Sequence, residues 1–173
     1  MASRYERPEV KQVTKQWVRE NCKNITERDM GLLRLLQTRR LLRRDQIQKL
    51  YPEFASTDRL NKRIKTLYNL HVVDKVYPPV GLYQGSSQQH ICLDRAGIIL
   101  LELEKYNKPI STDSHGGKHL PLGWEHRVLI NEYECRLRSF AESIGASIID
   151  YKVEESWKYS DTRLIPDIFC LIK

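Results

Sequence analysis

Cysteine is scarce in this chain: four stand among 173 residues, at positions 22, 92, 135 and 170. They lie far apart and form no CxxC pair, and a disulfide framework is not expected in a chain of this size and composition. We predict reduced thiols, with Cys92, Cys135 and Cys170 partly buried, because these three lie in apolar or helical runs.

Long apolar runs and nucleotide-binding motifs are missing as well. No stretch reaches the length that spans a membrane, and the N-terminus, MASRYERPEVK, lacks the apolar core of a signal peptide. The chain has no Walker motif, no G-x-G-x-x-G after a strand and no nucleophile elbow. These absences predict a soluble, cytoplasmic protein without a membrane partner, and they indicate no cofactor and no catalytic residue.

Positive charge is abundant, and it is concentrated in the first half of the chain. The whole chain carries a net charge of +7. Residues 1–82 hold 18 Lys/Arg against 9 Asp/Glu, a net of +9, whereas residues 83–173 hold 11 against 13, a net of −2. Such a basic balance favours an acidic partner such as nucleic acid. The contact surface is therefore expected in the first half.

The stretch Ser56–Asn69, STDRLNKRIKTLYN, predicts an amphipathic helix within this basic half. Ser56 or Thr57 can cap its first turn, and Leu60, Ile64 and Leu67 share one face. The remaining positions are mostly basic and polar: Lys62, Lys65, Thr66 and Asn69 opposite the apolar face, with Arg59 and Arg63 on its flank. The stretch alone leaves two interpretations open, a DNA-recognition helix and an ordinary helix with a solvated basic face.

The neighbours of this stretch favour the DNA-recognition helix. The order helix, helix, helix, strand, strand predicts a winged helix-turn-helix domain over residues 25–106, after an N-terminal tail and helix over 1–24. We expect that first helix to begin at Pro8; packing on the domain, dimer formation and a basic arm on DNA all remain open for it. The further predicted elements are a Thr26-capped helix to about residue 40, a short helix ending before Pro52, strands 71–77 and 88–93, and a helix over 95–106 capped by Asp94.

The second half predicts a small α/β piece after a linker at 107–123, so the fold class is α+β. A helix is predicted over 124–144, with apolar side chains along roughly one side: Val128, Tyr133, Leu137, Phe140 and Ile144. Strands are predicted at 146–153 and 164–172. Because one helix and two strands do not make a well-covered sheet, we expect a piece of a longer protein, truncated at Lys173, or a domain completed by another chain.

Several motifs, taken in order, resemble the replication-relaxation family of plasmid and mobile-element proteins. The stretch ITERDMGLLRLLQTRRLLRRDQIQKLY is similar to the family's opening, and Leu93–Gly97, LDRAG, is similar to its later Leu-(Thr/Asp)-x-x-Gly helix. His126 resembles its helix-leading His, and Pro166-Asp167 its strand with Pro-Asp. The resemblance covers residues 25–172. It implies an N-terminal winged helix and a role in plasmid replication or DNA relaxation, with no catalytic residues to carry over.

Together these features predict a bacterial plasmid or mobile-element protein that binds double-stranded DNA in replication, DNA relaxation or transfer, or transcriptional control. A homodimer and replication or conjugation proteins remain open as further partners. The third helix would enter the major groove, while residues near the second helix and the wing would hold phosphates. The predicted DNA-binding residues are Arg43, Arg44, Arg59, Lys62, Arg63, Lys65, Thr66, Asn69 and Lys75.

Two other functions are weighed against this one. The first is a nuclease or relaxase accessory with a restriction-nuclease-like fold, in which Glu154 or Glu155 and Asp167 would bind Mg²⁺. Its acid-x-Lys strand is absent, so the pattern fits a solvated strand edge better than a nuclease site, and we do not predict that this chain is an enzyme. The second is a winged helix used only for protein contacts.

Three smaller features complete the sequence evidence. Asp113, His115 and His119 lie in a glycine-rich linker that fixes no ligand geometry, so we predict no metal site. His126 is expected to be a packed residue at a helix start rather than a phosphate ligand. Tyrosines 77 and 83, which flank the wing loop, could stack on DNA or pack in the core.

Overall fold

The computed structural model describes residues 7–77, 88–104, 123–153 and 167–173, together with the backbone of 157–159 and 162–164. Within these residues the fold is α+β, with six α-helices and three antiparallel strand pairs. The chain divides into two compact units, Met1–Trp124 and Glu125–Lys173. No helix in the described ranges is long and apolar enough to cross a membrane.

Unit 1 contains five of the helices and one strand pair. The helices are α1 (Lys15–Asn21), α2 (Glu27–Arg39), α3 (Arg44–Leu50), α4 (Thr57–Asn69) and α5 (Arg95–Leu103), with a 3₁₀ turn (Pro52–Phe54) between α3 and α4. The strands are β1 (Val73–Val76) and β2 (His90–Leu93). The predicted wing loop over 78–87 and most of the predicted linker lie outside the described residues.

The first helix begins later than Pro8, which corrects the prediction. Thr14 caps α1 by accepting a hydrogen bond from the Trp17 N–H at 3.1 Å, and the chain before it is not helical. A threonine hydroxyl satisfies an N–H group that the first turn leaves without a partner, so it sets the start of the helix more firmly than proline does. Val18 and Cys22 are buried in the core of unit 1, so α1 packs on this unit.

The starts of α2 and α4 confirm the predicted caps. Thr26 and Asp29 form a capping box, with the Thr26 N–H donating to Asp29 at 2.8 Å and the Asp29 N–H donating to the Thr26 hydroxyl at 3.3 Å. Ser56 accepts from the Arg59 N–H at the start of α4. Local side-chain chemistry therefore fixes both helix starts.

The two strands of unit 1 pair in antiparallel register from Val73–Leu93 to Val76–His90. Leu42, just before α3, adds one rung, because its N–H and C=O bond Ile91 at 3.0 and 2.7 Å. The first strand is shorter than predicted, since His71 takes a positive φ of 56° and the extended backbone begins only at Val73. The sheet is thus tied to the segment that leads into α3.

Helix α5 packs directly on the backbone that leads into β1. Asp94 caps this helix through the Arg95 N–H at 2.6 Å, as predicted. A Cβ at Gly97 would collide with the Val72 carbonyl oxygen, so only glycine permits this close approach. Gly97 is the last residue of the LDRAG motif, and the motif therefore reflects helix packing.

The four cysteines, all within the described residues, form no disulfide, and the two most buried belong to unit 1. Burial raises the pKa of the Cys92 thiol to about 12 and also raises that of Cys22. Cys22 is more buried than the sequence indicated, because α1 packs it into the core. Buried thiols of raised pKa are poor nucleophiles.

Unit 2 contains α6 (Trp124–Ser143), β3 (Ile148–Val153), β4 (Trp157–Tyr159), β5 (Thr162–Leu164) and β6 (Ile168–Ile172). Strand β3 pairs with β6, and β4 pairs with β5. The predicted strand over 164–172 is confirmed for Ile168–Ile172, but Leu164 belongs to β5, in a hairpin that the sequence did not indicate. Gly145, at φ +72°, follows the end of α6 as expected.

The apolar residues that follow one side of α6 do not form its buried face. Tyr133, Phe140 and Ile144 are 53, 57 and 59% exposed, whereas Asn131 and Glu134 are buried with Ile130 and Ala141. Glu134 accepts hydrogen bonds from Arg138 one turn later, which makes a buried carboxylate tolerable on that face. The face of α6 that packs against the rest of unit 2 is therefore not the face with the most apolar side chains.

Candidate nucleic-acid interface

Helix α4 is held by a short, well-bonded turn after α3. The Gln48 amide on α3 donates to the carbonyl of Ala55 at 2.7 Å, directly before the Ser56 cap. Leu60, Ile64 and Leu67 are fully buried, as predicted. Three apolar anchors on one face fix the rotation of the helix, so the opposite face is presented to solvent.

The exposed face of α4 carries the residues that the periodicity placed there. Arg59, Lys62, Lys65, Thr66 and Asn69 are all exposed. Thr66 donates its hydroxyl proton to the Lys62 carbonyl at 3.1 Å, so its free lone pairs point outward as acceptors. After Asp58 in its first turn, α4 has no carboxylate. The face is therefore cationic along nearly its whole length.

Strand β1 adds Lys75 to one side of this face. The Lys75 ammonium lies 4.2 Å from the centroid of the Tyr68 ring on α4. Burial lowers the pKa of Lys75, and the nearby charges of Arg44 and Lys65 lower it further. The structure thus brings Arg44, Lys65 and Lys75, from three different elements, into one field of positive charge.

Arg44 is also the first residue in a series of side-chain hydrogen bonds next to the sheet. Its guanidinium donates to the Gln89 side chain, and the Gln89 amide donates to the Tyr77 hydroxyl. The Arg44 Nε is buried and has no hydrogen-bond partner among the residues that the structure describes. A cavity of about 280 Å³ opens here, lined by Gln88 and Gln89 as well as residues 43–45. Tyr77 is 60% exposed, and Tyr83 lies outside the described residues.

Arg43 lies in the same cavity, but its charge is largely balanced. Its guanidinium donates to both Asp45 carboxylate oxygens, at 3.0 and 2.9 Å. These hydrogen bonds lower the pKa of Asp45, so the ion pair persists at neutral pH. Arg43 therefore contributes less net positive charge to the surface than Arg44 does.

Arg63, on the other flank of α4, is bonded to the protein itself. Its Nε donates to Asp29 Oδ1 at 2.7 Å, and its Nη2 donates to Asp29 Oδ2 and to the Asn24 carbonyl, the latter at 2.9 Å. Burial alone would raise the pKa of Asp29, but the hydrogen bonds from Arg63 and Thr26 outweigh it and lower the pKa below its usual value. Arg63 connects α4 to the start of α2.

Arg7 is a part of this surface that the sequence did not indicate. Its guanidinium lies 4.8 Å from the Tyr68 ring centroid, pairs with Asp94, and approaches Asp74 at 3.8 Å. Burial raises the pKa of Asp74, and the adjacent Asp94 raises it further while Arg7 opposes both. Residues 1–7 were predicted to be a loose tail, and no local pattern distinguishes Arg7 from the cations around it.

Unit 2 contains a separate groove of about 330 Å³ along α6. His126 Nε2 lies 3.5 Å from Asp167 Oδ1 in this groove, beside Tyr133 and Arg136. Both members of the pair are well exposed. Across the described ranges no group of three or more His, Cys, Asp or Glu side chains could hold a metal ion. Glu154, Glu155, Asp113, His115 and His119 lie outside those ranges.

The comparisons with known proteins bear on the predicted resemblance. The replication-relaxation family matches residues 33–172, more than three quarters of the chain. The searches of curated proteins and of solved structures found no match to this chain. The match begins within α2 and covers the rest of unit 1 and nearly all of unit 2. The chain therefore belongs to the replication-relaxation family, which supports a role in replication or in the functions of mobile elements.

Proposed function

We propose that unit 1 is a winged helix-turn-helix domain that binds double-stranded DNA. In this proposal α3 and α4 are the two helices of the helix-turn-helix, α4 is the recognition helix, and the β1–β2 hairpin is the wing. The short turn between α3 and α4, the antiparallel pairing of the strands and the rung at Leu42 all fit this arrangement.

The observation that carries the proposal is that α4 is amphipathic, with one buried apolar face and one exposed basic face. Its inner face is fully buried and apolar, while every side chain predicted to contact DNA from its outer face is exposed. Arg44 and Lys75 extend the same positive surface onto neighbouring elements. A cationic helix face flanked by further cations suits a groove that two phosphate backbones border.

The contacts divide by chemistry. Residues on the outer face of α4 would reach base edges: Arg59, Lys62, Lys65, Thr66 and Asn69. Arg44, Lys75 and, more weakly, Arg43 would hold phosphates. Arg63 would position α4 through Asp29 rather than contact DNA. The protein would act in replication, DNA relaxation or transfer, or transcriptional control of its element, alone, as a homodimer, or with replication or conjugation proteins.

The test is the double variant Lys62→Glu, Lys65→Glu, measured by fluorescence anisotropy on duplex DNA at moderate salt. We expect binding to be lost, because two contacts disappear and two repulsive charges take their place. The melting temperature should stay nearly unchanged, since exposed charges contribute little to stability. The matched control is Lys11→Glu, Lys15→Glu, which makes the same charge change on exposed residues outside α4.

Two results would separate the alternatives. Wild-type affinity and salt dependence in the Lys62/Lys65 variant would place the recognition surface elsewhere. No binding of wild-type protein to duplex DNA even at low salt would favour a winged helix that contacts only proteins.

A second candidate function is that of a nuclease or relaxase accessory in unit 2. The observation in its favour is the His126–Asp167 pair in an open groove, where a carboxylate and an imidazole could act on a phosphodiester. Nicking of supercoiled plasmid with Mg²⁺ or Mn²⁺ that disappears in Asp167→Asn would support this function. Salt-sensitive binding without nicking would support the binding module alone.

A further inference from the structure

One residue of the stretch Thr26–Asp29, TERD, is not explained by the helix cap. Thr26 and Asp29 form the capping box, and Asp29 also holds Arg63. Arg28, between them, is exposed, and its guanidinium carbon lies 4.7 Å from the centroid of the Phe54 ring. Phe54 ends the 3₁₀ turn just before α4. Arg28 therefore places its positive charge near the N-terminal end of α4.

A second cation lies in the turn between α1 and α2. The Arg63 guanidinium donates to the Asn24 carbonyl at 2.9 Å, which holds this turn against the flank of α4. Lys23, the preceding residue, is exposed. The nearby carboxylate Glu27 is paired with Arg34 at 2.7 Å, so it does not cancel the charges of Lys23 and Arg28.

These cations lie on the side of α4 opposite Arg44 and Lys75. Arg63 and Lys65 are two residues apart, and two residues turn a helix by roughly 200°. Arg63 is directed to the start of α2, whereas Lys65 shares the field of Arg44 and Lys75. The outer face of α4 is thus bordered by positive charge on both sides.

We propose that Lys23 and Arg28 form a second DNA-backbone contact edge, so that α4 lies between two rows of phosphate contacts. This inference rests on the proposed DNA binding and specifies its substrate. Contacts on opposite sides of one helix require two backbones separated by a groove about 12 Å wide, which is the major groove of B-form DNA. The partner is therefore duplex rather than single-stranded nucleic acid.

The test compares salt dependence in the full-length chain. The double variant Lys23→Gln, Arg28→Gln removes two charges from the proposed edge, and Lys11→Gln, Lys15→Gln removes two from the segment before α2 that packs on α5. Lys15 pairs with Glu102 on α5 at 3.5 Å. Affinity for a duplex of random sequence is measured by anisotropy from about 50 to 200 mM salt.

We expect the first variant to flatten the slope of log K against log salt by roughly 2 and to weaken binding roughly 10- to 100-fold near 0.1 M salt, because each phosphate contact adds about 0.9 to that slope. The control should keep the wild-type slope. The affinity of the Lys23/Arg28 variant for a single-stranded oligonucleotide should fall less than its affinity for duplex. Arg28→Lys should restore the slope that Arg28→Gln loses, since it keeps the charge.

Three results would overturn the second edge. One is a wild-type slope in the Lys23/Arg28 variant when the Lys62/Lys65 variant has lost binding, which leaves the proposed function intact. Another is an equal change in the control. The third is a wild-type protein that binds no duplex, which removes the proposed function itself. Melting temperatures of both variants within about 2 °C of wild type would show that the comparison concerns folded protein.

Discussion

At the scale of single residues, Arg63 shows why periodicity cannot assign the role of a charged side chain. The helix wheel places Arg63 on the flank of α4 with the predicted DNA contacts. Its guanidinium is instead bonded to Asp29, whose side chain is fully buried. No pattern within α4 could indicate this pairing, because its partner lies 34 residues earlier in the chain.

Arg63→Met is expected to destabilise the protein by about 3–5 kcal/mol, because it leaves the buried Asp29 carboxylate without its counter-charge. Urea unfolding followed by circular dichroism measures the change. The double variant Arg63→Met, Asp29→Asn should recover a large part of the loss, since it removes both charges together. A loss below about 1 kcal/mol in the single variant would mean that the pair is solvated.

The same ion pair predicts how stability depends on pH. Because the pKa of Asp29 is lower in the folded state than its usual value of about 3.9, its contribution is complete above that value and is lost as the pH falls through the folded-state pKa. The difference in unfolding free energy between wild type and Asp29→Asn should therefore be constant from about pH 5 to 7 and shrink below about pH 4. A constant difference down to pH 3 would contradict the assignment.

Asn69→Ala tests the register of the proposed recognition helix. Asn69 is the last residue of α4 and is exposed, while Leu70 is the C-cap. If its amide bonds an adenine edge, the variant should lose about 1–3 kcal/mol of discrimination at one base pair and keep its affinity for unrelated duplex. Anisotropy on a specific site found by footprinting, and on its single-base variants, gives the comparison. A uniform loss across all sites would indicate a phosphate contact instead.

At the scale of elements, predictions from the sequence were most accurate where neighbouring residues alone determine the structure. The starts of α2, α4 and α5 follow from their caps at Thr26, Ser56 and Asp94, and the buried face of α4 follows from its apolar spacing. The exposed basic face, which is most of the candidate site, was predictable for the same reason.

The sequence predicted poorly where contacts between distant elements decide. The buried face of α6 includes Asn131 and Glu134, which no hydrophobic pattern selects. Three-residue strands such as β4 and β5 are too short to show an alternating pattern. Arg7 and Gln89 join the candidate site only through partners on other elements. These features required the folded chain.

Two glycines offer a matched test of helix packing. Gly97→Ala should destabilise unit 1 by about 1–3 kcal/mol, because the new methyl group meets the Val72 backbone carbonyl, which cannot move without shifting β1. Gly31→Ala meets the hydroxyl end of the Tyr51 side chain, which can rotate away, so we expect a smaller cost. Thermal unfolding of both variants measures the two losses of stability. Equal losses would contradict the backbone explanation.

At the scale of the whole molecule, charge separates the two units. Residues 1–124 carry 22 Lys/Arg against 13 Asp/Glu, a net of +9, and residues 125–173 carry 7 against 9, a net of −2. Binding without sequence preference is mostly phosphate neutralisation. We therefore attribute the proposed DNA binding to unit 1.

Residues 1–124 produced alone should bind duplex DNA with nearly the salt slope of the full chain, and residues 125–173 should bind far more weakly at the same low salt. Anisotropy on one random duplex gives both values, with circular dichroism to show that each piece is folded. Comparable affinity of the two pieces would contradict the assignment of DNA binding to unit 1.

The pairing of Arg7 with Asp94 sets an order for folding during synthesis on the ribosome. The two residues are 87 positions apart, so Arg7 leaves the exit tunnel long before its counter-charge exists. Helices α3 and α4 contact each other and the 3₁₀ turn between them, so we expect them to form early, whereas α1 and α2 both contact α5 and cannot complete their packing before α5 is present. We expect a nascent chain arrested before residue 94 to leave Val18 and Cys22 accessible to solvent. Arg7 is therefore expected to be among the last residues to reach its native position.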